Sequence, residues 1–493
     1  QPSSRLFRTA ATASSGQAIY VGNRPGSEKD RGFSFANLAS MSIALPKVAV
    51  IGAGSSGITA LKGLVDRGFD VTCYEASDRV GGNWVFGNQN GMSASYKSLH
   101  INTSRERMEY ADYPMPKHYA DFPHHSQIAE YFDNYVENFG LRDRIRFETK
   151  VVSAERGDDG VWTLTDDKGG SDQYDALLVA NGHHWDPRWP EPAFAGSFNG
   201  IEMHAHSYEN SDILRGKRIV VVGMGNSAMD IAVEGSYVAD KVYLSARRGA
   251  HIIPKYIFGR PLDQVLKNDP RIPHRVRQVL FQTILRTQIG KVEDYGLPKP
   301  DHKIADAHPT ISDHILSRIT HGSVEVKPNI KELKGDKVLF EDGTEVEADL
   351  IVYCTGYKVT FPFFDEDFIS APDNELPLYR RVFKPDVDNV FFIGLLQPLG
   401  AVMPLSEAQG RWVASYLRGE YALPSPSDVA ADIKAEREAM DKRYVKSKRH
   451  TMQIDFEDYL YQLDKEIRAG AERARANGYK LPIEPKAATE VAA

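Results

Sequence analysis

Residues 48–57 read VAVIGAGSSG, and this stretch decides the fold of the region around it. Its apolar start predicts a buried strand, its glycines predict a tight turn, and a helical pattern follows from Ser55. Such a strand–turn–helix unit places the pyrophosphate of a dinucleotide at a helix N-terminus. Residues 219–228 read IVVVGMGNSA and repeat the pattern, with Ala228 in place of the third glycine. The two stretches therefore predict two dinucleotide-binding units in one chain.

The residues that end the strand after each turn distinguish the two sites. The first strand ends at Glu75, whose carboxylate suits ribose hydroxyl groups and repels a 2′-phosphate. The second ends at Ala246, which is followed by Arg247 and Arg248. Guanidinium groups bind a 2′-phosphate through charge-assisted hydrogen bonds. The sequence thus predicts FAD at the first site and NADPH at the second, with Arg247 favoured over Arg248 as the phosphate ligand.

The order of the predicted elements indicates an α/β fold with two Rossmann-like dinucleotide-binding domains, the NADPH domain being inserted into the FAD domain. Apolar runs that end in glycine recur at 174–182 and 349–357, and prolines at 187–192 mark a linker. The expected divisions are 1–40 as a disordered extension, 41–187 as the first part of the FAD domain, 188–324 as the NADPH domain, 325–470 as the second part of the FAD domain, and 471–493 as a C-terminal tail.

Composition excludes several classes of protein. A formal net charge of −7 over 493 residues argues against a nucleic-acid-binding surface. The two cysteines, Cys73 and Cys354, form no Cys-x-x-Cys pair, which excludes the disulfide-reductase branch of two-dinucleotide flavoproteins. No stretch reaches the roughly 18 apolar residues of a membrane span, and a cytoplasmic location is expected. Residues 1–40 fit a transit peptide or an extension upstream of the functional start, for which Met41 is favoured.

Two further motifs narrow the chemistry. Gly81 and Gly82 follow the expected ribose ligand and allow the backbone to approach the FAD pyrophosphate from the side opposite the first turn. Residues 198–208 read FNGIEMHAHSY and match the pattern F-x-G-x-x-x-H-x-x-x-Y/F. The residues that define this motif are Phe198, Gly200, His204 and Tyr208. The histidine pairs lack carboxylate or cysteine partners at ligand spacing, so no metal site is predicted.

With these motifs the chain resembles the flavin-containing monooxygenases over roughly residues 47–465. The similar segments are 52–57, 81–84, 96–104, 198–208, 223–228, 245–249, 355–357, 394–400 and 409–412. The resemblance implies an N,N-dimethylaniline monooxygenase-like enzyme in which NADPH reduces FAD and O₂ adds to form a C4a-(hydro)peroxyflavin. One oxygen atom then passes to an amine nitrogen or a sulfide sulfur. The resemblance also implies that Asn102 is the active-site asparagine, and that Gln409 contacts the flavin ring.

The expected cofactor contacts come from both turns and from the family segments. They are Gly52, Gly54, Ser55, Ser56, Gly57, Glu75, Gly82, Asn83, Trp84, Asn102, Thr103, Gly223, Gly225, Asn226, Ser227, Ala228, Arg247 and Gln409. The expected partners are a small-molecule substrate and O₂, without nucleic acid, and the expected assembly is a homodimer. The substrate itself cannot be read from the sequence, although 250–320 and 357–372 are expected to line its access route.

Two alternatives to N- or S-oxygenation stay open. A Baeyer–Villiger monooxygenase would insert oxygen beside a ketone, but its typical members carry Trp where this motif has Tyr208. An NADPH oxidase or flavin reductase would release H₂O₂, and this outcome depends on how well the pocket excludes water.

Overall fold

The computed structural model describes residues 44–266, 269–443 and 451–487 of the chain. The expected extension at 1–40 and the expected start at Met41 lie outside the described residues. The helices are α1 (Ser55–Val65), α2 (Arg105–Met108), α3 (His125–Asn138), α4 (Asn226–Val238), α5 (Leu262–Val265), α6 (His274–Ile289), α7 (Ile315–Thr320), α8 (Met403–Leu417), α9 (Pro426–Arg443) and α10 (Phe456–Ala476).

The strands fall into two five-stranded parallel sheets and several smaller sheets. In chain order they are β1 (Val48–Ile51), β2 (Val71–Tyr74), β3 (Ile145–Arg146), β4 (Val151–Arg156), β5 (Trp162–Asp166), β6 (Ser171–Tyr174), β7 (Ala176–Val179), β8 (Asp186–Pro187), β9 (Ala195–Phe198), β10 (Ile201–His204), β11 (Arg218–Val222), β12 (Lys241–Ser245), β13 (Ile252–Ile253), β14 (Tyr256–Ile257), β15 (Arg260–Pro261), β16 (Thr310–Ile311), β17 (Val324–Lys327), β18 (Ile330–Gly335), β19 (Lys337–Phe340), β20 (Glu345–Glu347), β21 (Leu350–Tyr353), β22 (Tyr357–Lys358), β23 (Val390–Phe392), β24 (Gln397–Leu399) and β25 (Gln453–Asp455).

The first large sheet has the strand order β23-β7-β1-β2-β3, and all its pairings are parallel. Every residue of β1 is buried because both faces of the sheet are covered. Helices α1 and α8 contribute to the core on one face, and the antiparallel sheet β4-β5-β6 packs around Trp162 on the other. The helices approach closely at Gly410, where an added Cβ would lie 2.8 Å from the Cα of Ala60.

The second large sheet has the order β10-β21-β11-β12-β17 and is also entirely parallel. Residues of α4 and α7 share one core with this sheet, and the strands β18 and β19 share another. The two sheets, each with a glycine turn after a central strand, confirm the predicted α/β class and its two Rossmann-like units.

The boundary predicted between 324 and 325 falls inside β17, which begins at Val324. Strand β17 and the later β21, which the sequence assigned to the outer FAD domain, both pair within the second sheet. The physical reason for β21 is that an apolar run followed by glycine describes any central parallel strand, and hydrophobicity does not identify the neighbouring strand. The chain returns to the first sheet only after β22, which pairs antiparallel with β8 at the other crossing between the sheets.

The C-terminal segment contacts the first sheet rather than extending away from it. The predicted tail at 471–493 begins inside α10, which ends at Ala476. Further along, the backbone N–H groups of Lys486 and Ala487 donate to Asp175 Oδ1 at 2.7 Å and 2.8 Å. Asp175 directly precedes β7, so the described part of the tail is fixed to the start of a central strand.

Candidate active site

A cleft of about 1510 Å³ is lined by residues from both large sheets. Both glycine turns open onto it, as expected for ligand sites at the carboxyl ends of parallel strands. Most of the predicted site residues line this cleft. They are Gly52, Gly54, Ser55, Ser56, Glu75, Gly82, Asn83, Trp84, Asn102, Thr103, His204, Gly223, Gly225, Asn226, Ser227, Ala228 and Arg247.

The first turn is shaped by backbone contacts that only glycine permits. Gly52 has φ +98°, and an added Cβ there would lie 2.6 Å from the carbonyl oxygen of Ala180. Gly54 caps α1, and no side chain hydrogen-bonds to the helix N-terminus from that position. An added Cβ on Gly82 would lie 3.2 Å from the Cα of Gly54, so the two glycine backbones almost touch. Free amide groups beside such a close approach fit a pyrophosphate.

Glu75 holds this turn in place. Its Oε2 accepts a hydrogen bond from Ala53 N at 2.7 Å, and its Oε1 accepts one from Ser77 N at 2.8 Å. The side chain is only 5% exposed, and burial raises the pKa of Glu75 although both amide bonds lower it. Each carboxylate oxygen keeps a second lone pair, so contact with ribose hydroxyls is compatible with these bonds.

The second turn is braced by the segment that follows α6. Gly225 caps α4 without a side-chain hydrogen bond, which leaves the N-terminal amides of that helix available to an anion. The Asn226 side chain accepts a hydrogen bond from Ile311 N at 2.8 Å, and the Thr310 hydroxyl donates to the carbonyl of Met224. Asn226 therefore fixes the turn through its side-chain oxygen.

The two arginines after β12 differ in their partners. Both are exposed, and Arg248 forms an ion pair with Asp301 at 2.8 Å. The Arg247 guanidinium forms neither a hydrogen bond nor an ion pair with any residue in the described ranges, and it lines the cleft. Arg248 also lines the cleft, but its Nε is bonded to Asp301, so Arg247 has more donors available to a bound phosphate.

Asn102 lines the cleft with a free amide. Asparagines that stabilise turns in this protein accept a bond from the amide two residues on, as Asn90 does from Met92 N at 2.9 Å and Asn210 from Asp212 N at 2.8 Å. The Asn102 side chain makes no such bond, nor any other hydrogen bond within the part of the chain that the structure describes. Its donor and acceptor are both left for a ligand in the cleft.

Of the four residues that define the motif at 198–208, only His204 lines the cleft, together with the neighbouring Ala205. His204 ends β10 and is 2% exposed, and its Nδ1 accepts a hydrogen bond from His206 N at 3.0 Å. Burial lowers the pKa of His204 to about 4, so the imidazole is neutral near pH 7. Gly200 is required because an added Cβ would lie 2.6 Å from the carbonyl oxygen of Asp349. Phe198, Gly200 and Tyr208 do not line the cleft.

Two residues expected to contact a cofactor lie elsewhere. Gln409 is fully buried in α8, where its Oε1 accepts from Gly394 N at 2.8 Å and its Nε2 donates to the Tyr459 hydroxyl at 2.7 Å. Gln409 does not line the cleft and each of its polar atoms has a partner within the protein, and the expected flavin contact stays a prediction. Gly57 allows α1 to pack on the turn, because an added Cβ would lie 1.7 Å from the carbonyl oxygen of Gly52.

Asp230 and Glu234 were not selected from the sequence. Neither lines the cleft, but Asp230 is hydrogen-bonded to Tyr96, which does. The two acids are one turn apart on α4, and they accept hydrogen bonds from the hydroxyls of Tyr96 and Tyr208, respectively. Burial raises the pKa of Asp230 to about 6, while the Tyr96 hydroxyl and the Lys255 ammonium oppose this increase. The available sequence signal was that Asp230 stands between two apolar pairs, Ala228–Met229 and Ile231–Ala232, in a predicted helix.

Two glycine turns, each followed by a helix N-terminus that fits a phosphate group, open onto one cleft, which is the arrangement of an oxidoreductase that binds two dinucleotides. Comparisons with known proteins identify its family. The family model of flavin-binding monooxygenase-like proteins matches residues 45–477. Flavin-containing monooxygenase 5 of Rattus norvegicus is 40% identical over 443 residues, which are 85% of this chain and 82% of that relative. Dimethylaniline monooxygenase (N-oxide-forming) 2 of the same species is 37% identical over 445 residues, covering 86% of this chain and 83% of the relative.

A solved structure agrees. The S-allyl-L-cysteine S-oxygenase of Allium sativum superposes with a TM-score of 0.65 at 25% identity, covering 89% of this chain and 94% of the other. The chain belongs to the flavin-binding monooxygenase-like family. It is a monooxygenase that depends on FAD and NADPH, as the sequence predicted, and it acts on a small molecule with O₂. None of the helices in the described ranges has the length and apolar character needed to cross a membrane.

Proposed function

We propose that this enzyme transfers one oxygen atom to a soft nucleophile, an amine nitrogen or a sulfide sulfur. The observation that carries the proposal is the shared cleft: two helix N-termini without side-chain caps and the free amide of Asn102 face one cavity. A donor and an acceptor nucleotide held there would bring their reactive rings to the same place. The names of the relatives, an N-oxide-forming monooxygenase and an S-oxygenase, support this substrate class.

We assign the residues of the cleft to two cofactors. The FAD pyrophosphate would lie on the turn from Gly52 to Ser56 with Gly82 on its other side, and Glu75 would accept its ribose hydroxyls. NADPH would lie on the turn from Gly223 to Ala228, with its 2′-phosphate on Arg247. When bound, the flavin accepts a hydride, activates O₂ and supplies the transferred oxygen. The Asn102 amide would orient the nicotinamide against the flavin.

One stretch of the cleft lining offers apolar contacts to a substrate beside charged groups. Leu262, Leu266, Ile272 and Leu280 line it together with Asp263, Asp269 and Arg277, and Leu280 is 58% exposed. An amine would react in its neutral form, because only that form has the nucleophilic lone pair. A thioether carries no titrating nitrogen and would react without this requirement.

The test measures NADPH consumption with a tertiary amine, a thioether and a cyclic ketone of similar size, with products and H₂O₂ determined together. We expect an N-oxide and an S-oxide in near-stoichiometric yield with NADPH. The rate at low amine concentration should rise with pH toward the pKa of the amine, whereas the thioether rate should lack this rise. Lactone from the ketone with amine and thioether unchanged would establish Baeyer–Villiger chemistry instead. H₂O₂ equal to the NADPH consumed with every substrate would establish an oxidase.

The predicted homodimer and the predicted cytoplasmic location belong to the same proposal. Sedimentation of the FAD-loaded protein over a range of concentrations tests the assembly, and fractionation of the producing cells tests the location.

A further inference from the structure

The loop that carries Asn102 bridges the two sheets. We define the Asn102 loop as residues 96–104. Backbone hydrogen bonds join it to the first domain, with His125 N donating to Leu99 O at 2.9 Å and Ile101 N donating to Pro123 O at 3.0 Å. Residues 96, 98, 101 and 104 of the loop form hydrogen bonds with side chains of the second domain instead. These side chains lie between residues 230 and 263, in α4 and in the segment after β12.

On one side, the loop is joined to α4 by hydroxyl–carboxylate bonds. The Tyr96 hydroxyl donates to Asp230, and the Ser98 hydroxyl donates to Glu234. Glu234 also accepts from the Tyr208 hydroxyl, and the ring centroids of Tyr208 and Tyr96 are 5.8 Å apart. Tyr96 is 5% exposed, so the loss of its bond would leave a buried polar group unsatisfied. Hydrogen bonds to ionised acceptors are also stronger than neutral ones.

On the other side, two residues that follow β12 hold the end of the loop. The Lys255 ammonium donates to Ile101 O at 3.3 Å, directly before Asn102. Asp263 Oδ2 accepts from Ser104 N at 2.6 Å, two residues after Asn102. The backbone at Asn102 is therefore held between two side chains that come from the domain with the second glycine turn.

Helix α4 connects these contacts to the second turn. It begins at Asn226, on the turn where NADPH would bind, and Asp230 and Glu234 lie one and two turns further along. A helix of this length is a rigid body, so a shift of its N-terminus also shifts both carboxylates. We propose that Asp230 and Glu234 are positioning residues that fix the Asn102 loop relative to the NADPH site. This inference rests on the cofactor assignment proposed above, under which occupation of the NADPH site would order the Asn102 loop, whichever substrate is oxygenated.

The test replaces the loop hydroxyls and compares them with a matched pair elsewhere. Tyr96→Phe and Ser98→Ala each remove one hydroxyl, and Ser98 is exposed, so its loss leaves folding intact. The matched control is Tyr353→Phe: Tyr353 is 2% exposed and its hydroxyl donates to Glu202 within the second sheet, away from the loop. Asp230→Asn keeps an acceptor for Tyr96, whereas Asp230→Ala removes it.

Three quantities are measured on FAD-loaded protein: the NADP⁺ dissociation constant by calorimetry, hydrogen exchange of peptides covering 97–104 with and without NADP⁺, and the fraction of NADPH converted to H₂O₂. We expect NADP⁺ to slow exchange in the Asn102 loop of the unmodified enzyme. Tyr96→Phe and Asp230→Ala should abolish this protection and weaken NADP⁺ binding about 10-fold. Ser98→Ala should weaken protection in the same direction, and Asp230→Asn should retain most of it.

The FAD content should be unchanged in all these variants, because the first turn is not touched. NADP⁺-dependent protection and NADP⁺ affinity equal to those of the unmodified enzyme in Tyr96→Phe and Ser98→Ala would overturn the proposal. Equal losses in Tyr353→Phe would overturn it as well, because they would show a general response to a missing hydroxyl.

Discussion

Arg247 is the cation that we expect to distinguish NADPH from NADH. It lines the cleft with no partner in the described residues, whereas the neighbouring Arg248 is paired with Asp301 at 2.8 Å. Arg247→Ala therefore removes donors that only a 2′-phosphate would use. Hydrogen bonds to charged groups contribute about 1.5–3 kcal/mol, which corresponds to about 10–100-fold in affinity. Because Arg247 is exposed, we expect a result near the lower limit.

The assay is steady-state kinetics with each nicotinamide cofactor at fixed substrate and O₂. The KM for NADPH should rise about 10-fold in Arg247→Ala, while the KM for NADH and the kcat values change little. Raising the ionic strength should increase the NADPH KM of the unmodified enzyme and have less effect on the variant, because salt screens an exposed charge pair.

Arg248→Ala is the matched control, since it removes the same charge from the adjacent position. We expect it to have a smaller effect on NADPH than Arg247→Ala, because its guanidinium already contacts Asp301. The reasoning is refuted if Arg247→Ala changes the NADPH and NADH constants equally, or if Arg248→Ala has the larger effect.

Three other predictions follow from the cleft. Asn102→Ala should keep its FAD content but lose coupling, with more H₂O₂ per NADPH than the unmodified enzyme; an unchanged product yield in the folded variant would return Asn102 to a structural role. Gly57→Ala should yield protein with little FAD, because its Cβ would lie 1.7 Å from a backbone oxygen, and normal flavin absorbance would contradict this. His204 has its pKa lowered to about 4 by burial, so between pH 6.5 and 4 the unfolded chain binds a proton that the folded chain does not. The Tm should therefore fall as the pH falls through this window, and His204→Asn, which retains an acceptor for His206 N, should show a shallower fall; equal slopes would argue against it.

Short sequence patterns predicted the structural features that are determined by residues close together in the chain. The two glycine turns, their strands and the residue types at the strand ends were readable because each lies within a few dozen residues of sequence. The assignment of β17 and β21 failed because the pairing of a strand depends on residues far away in the chain. The flavin contact expected of Gln409 stays a prediction, and only the fold shows that its amide already bonds to Gly394 N and to the Tyr459 hydroxyl.

The surroundings of Asn102 could not be predicted at all. Lys255 and Asp263 reach the Asn102 loop from a segment with no regular periodicity, and their sequence context resembles that of any polar surface residue. Resemblance to a family selected Asn102 itself, but it carried no information on which side chains hold its backbone. Such contacts are set by how one domain is placed on another, which only the three-dimensional structure supplies.

The strand order of the first sheet has a consequence for synthesis on the ribosome. Strand β23 pairs with β7, and α8 covers α1, yet both β23 and α8 are translated after the entire second sheet. The nascent chain therefore carries the apolar face of α1, including Ile58, Leu61 and Leu64, without its final cover while the inserted domain emerges. The strands of the second sheet all lie in one continuous segment from β10 to β21, so its core is the first that can be completed. Ribosome-bound chains that end between β22 and β23 would hold a finished inner domain beside an aggregation-prone outer one, a natural target for chaperones.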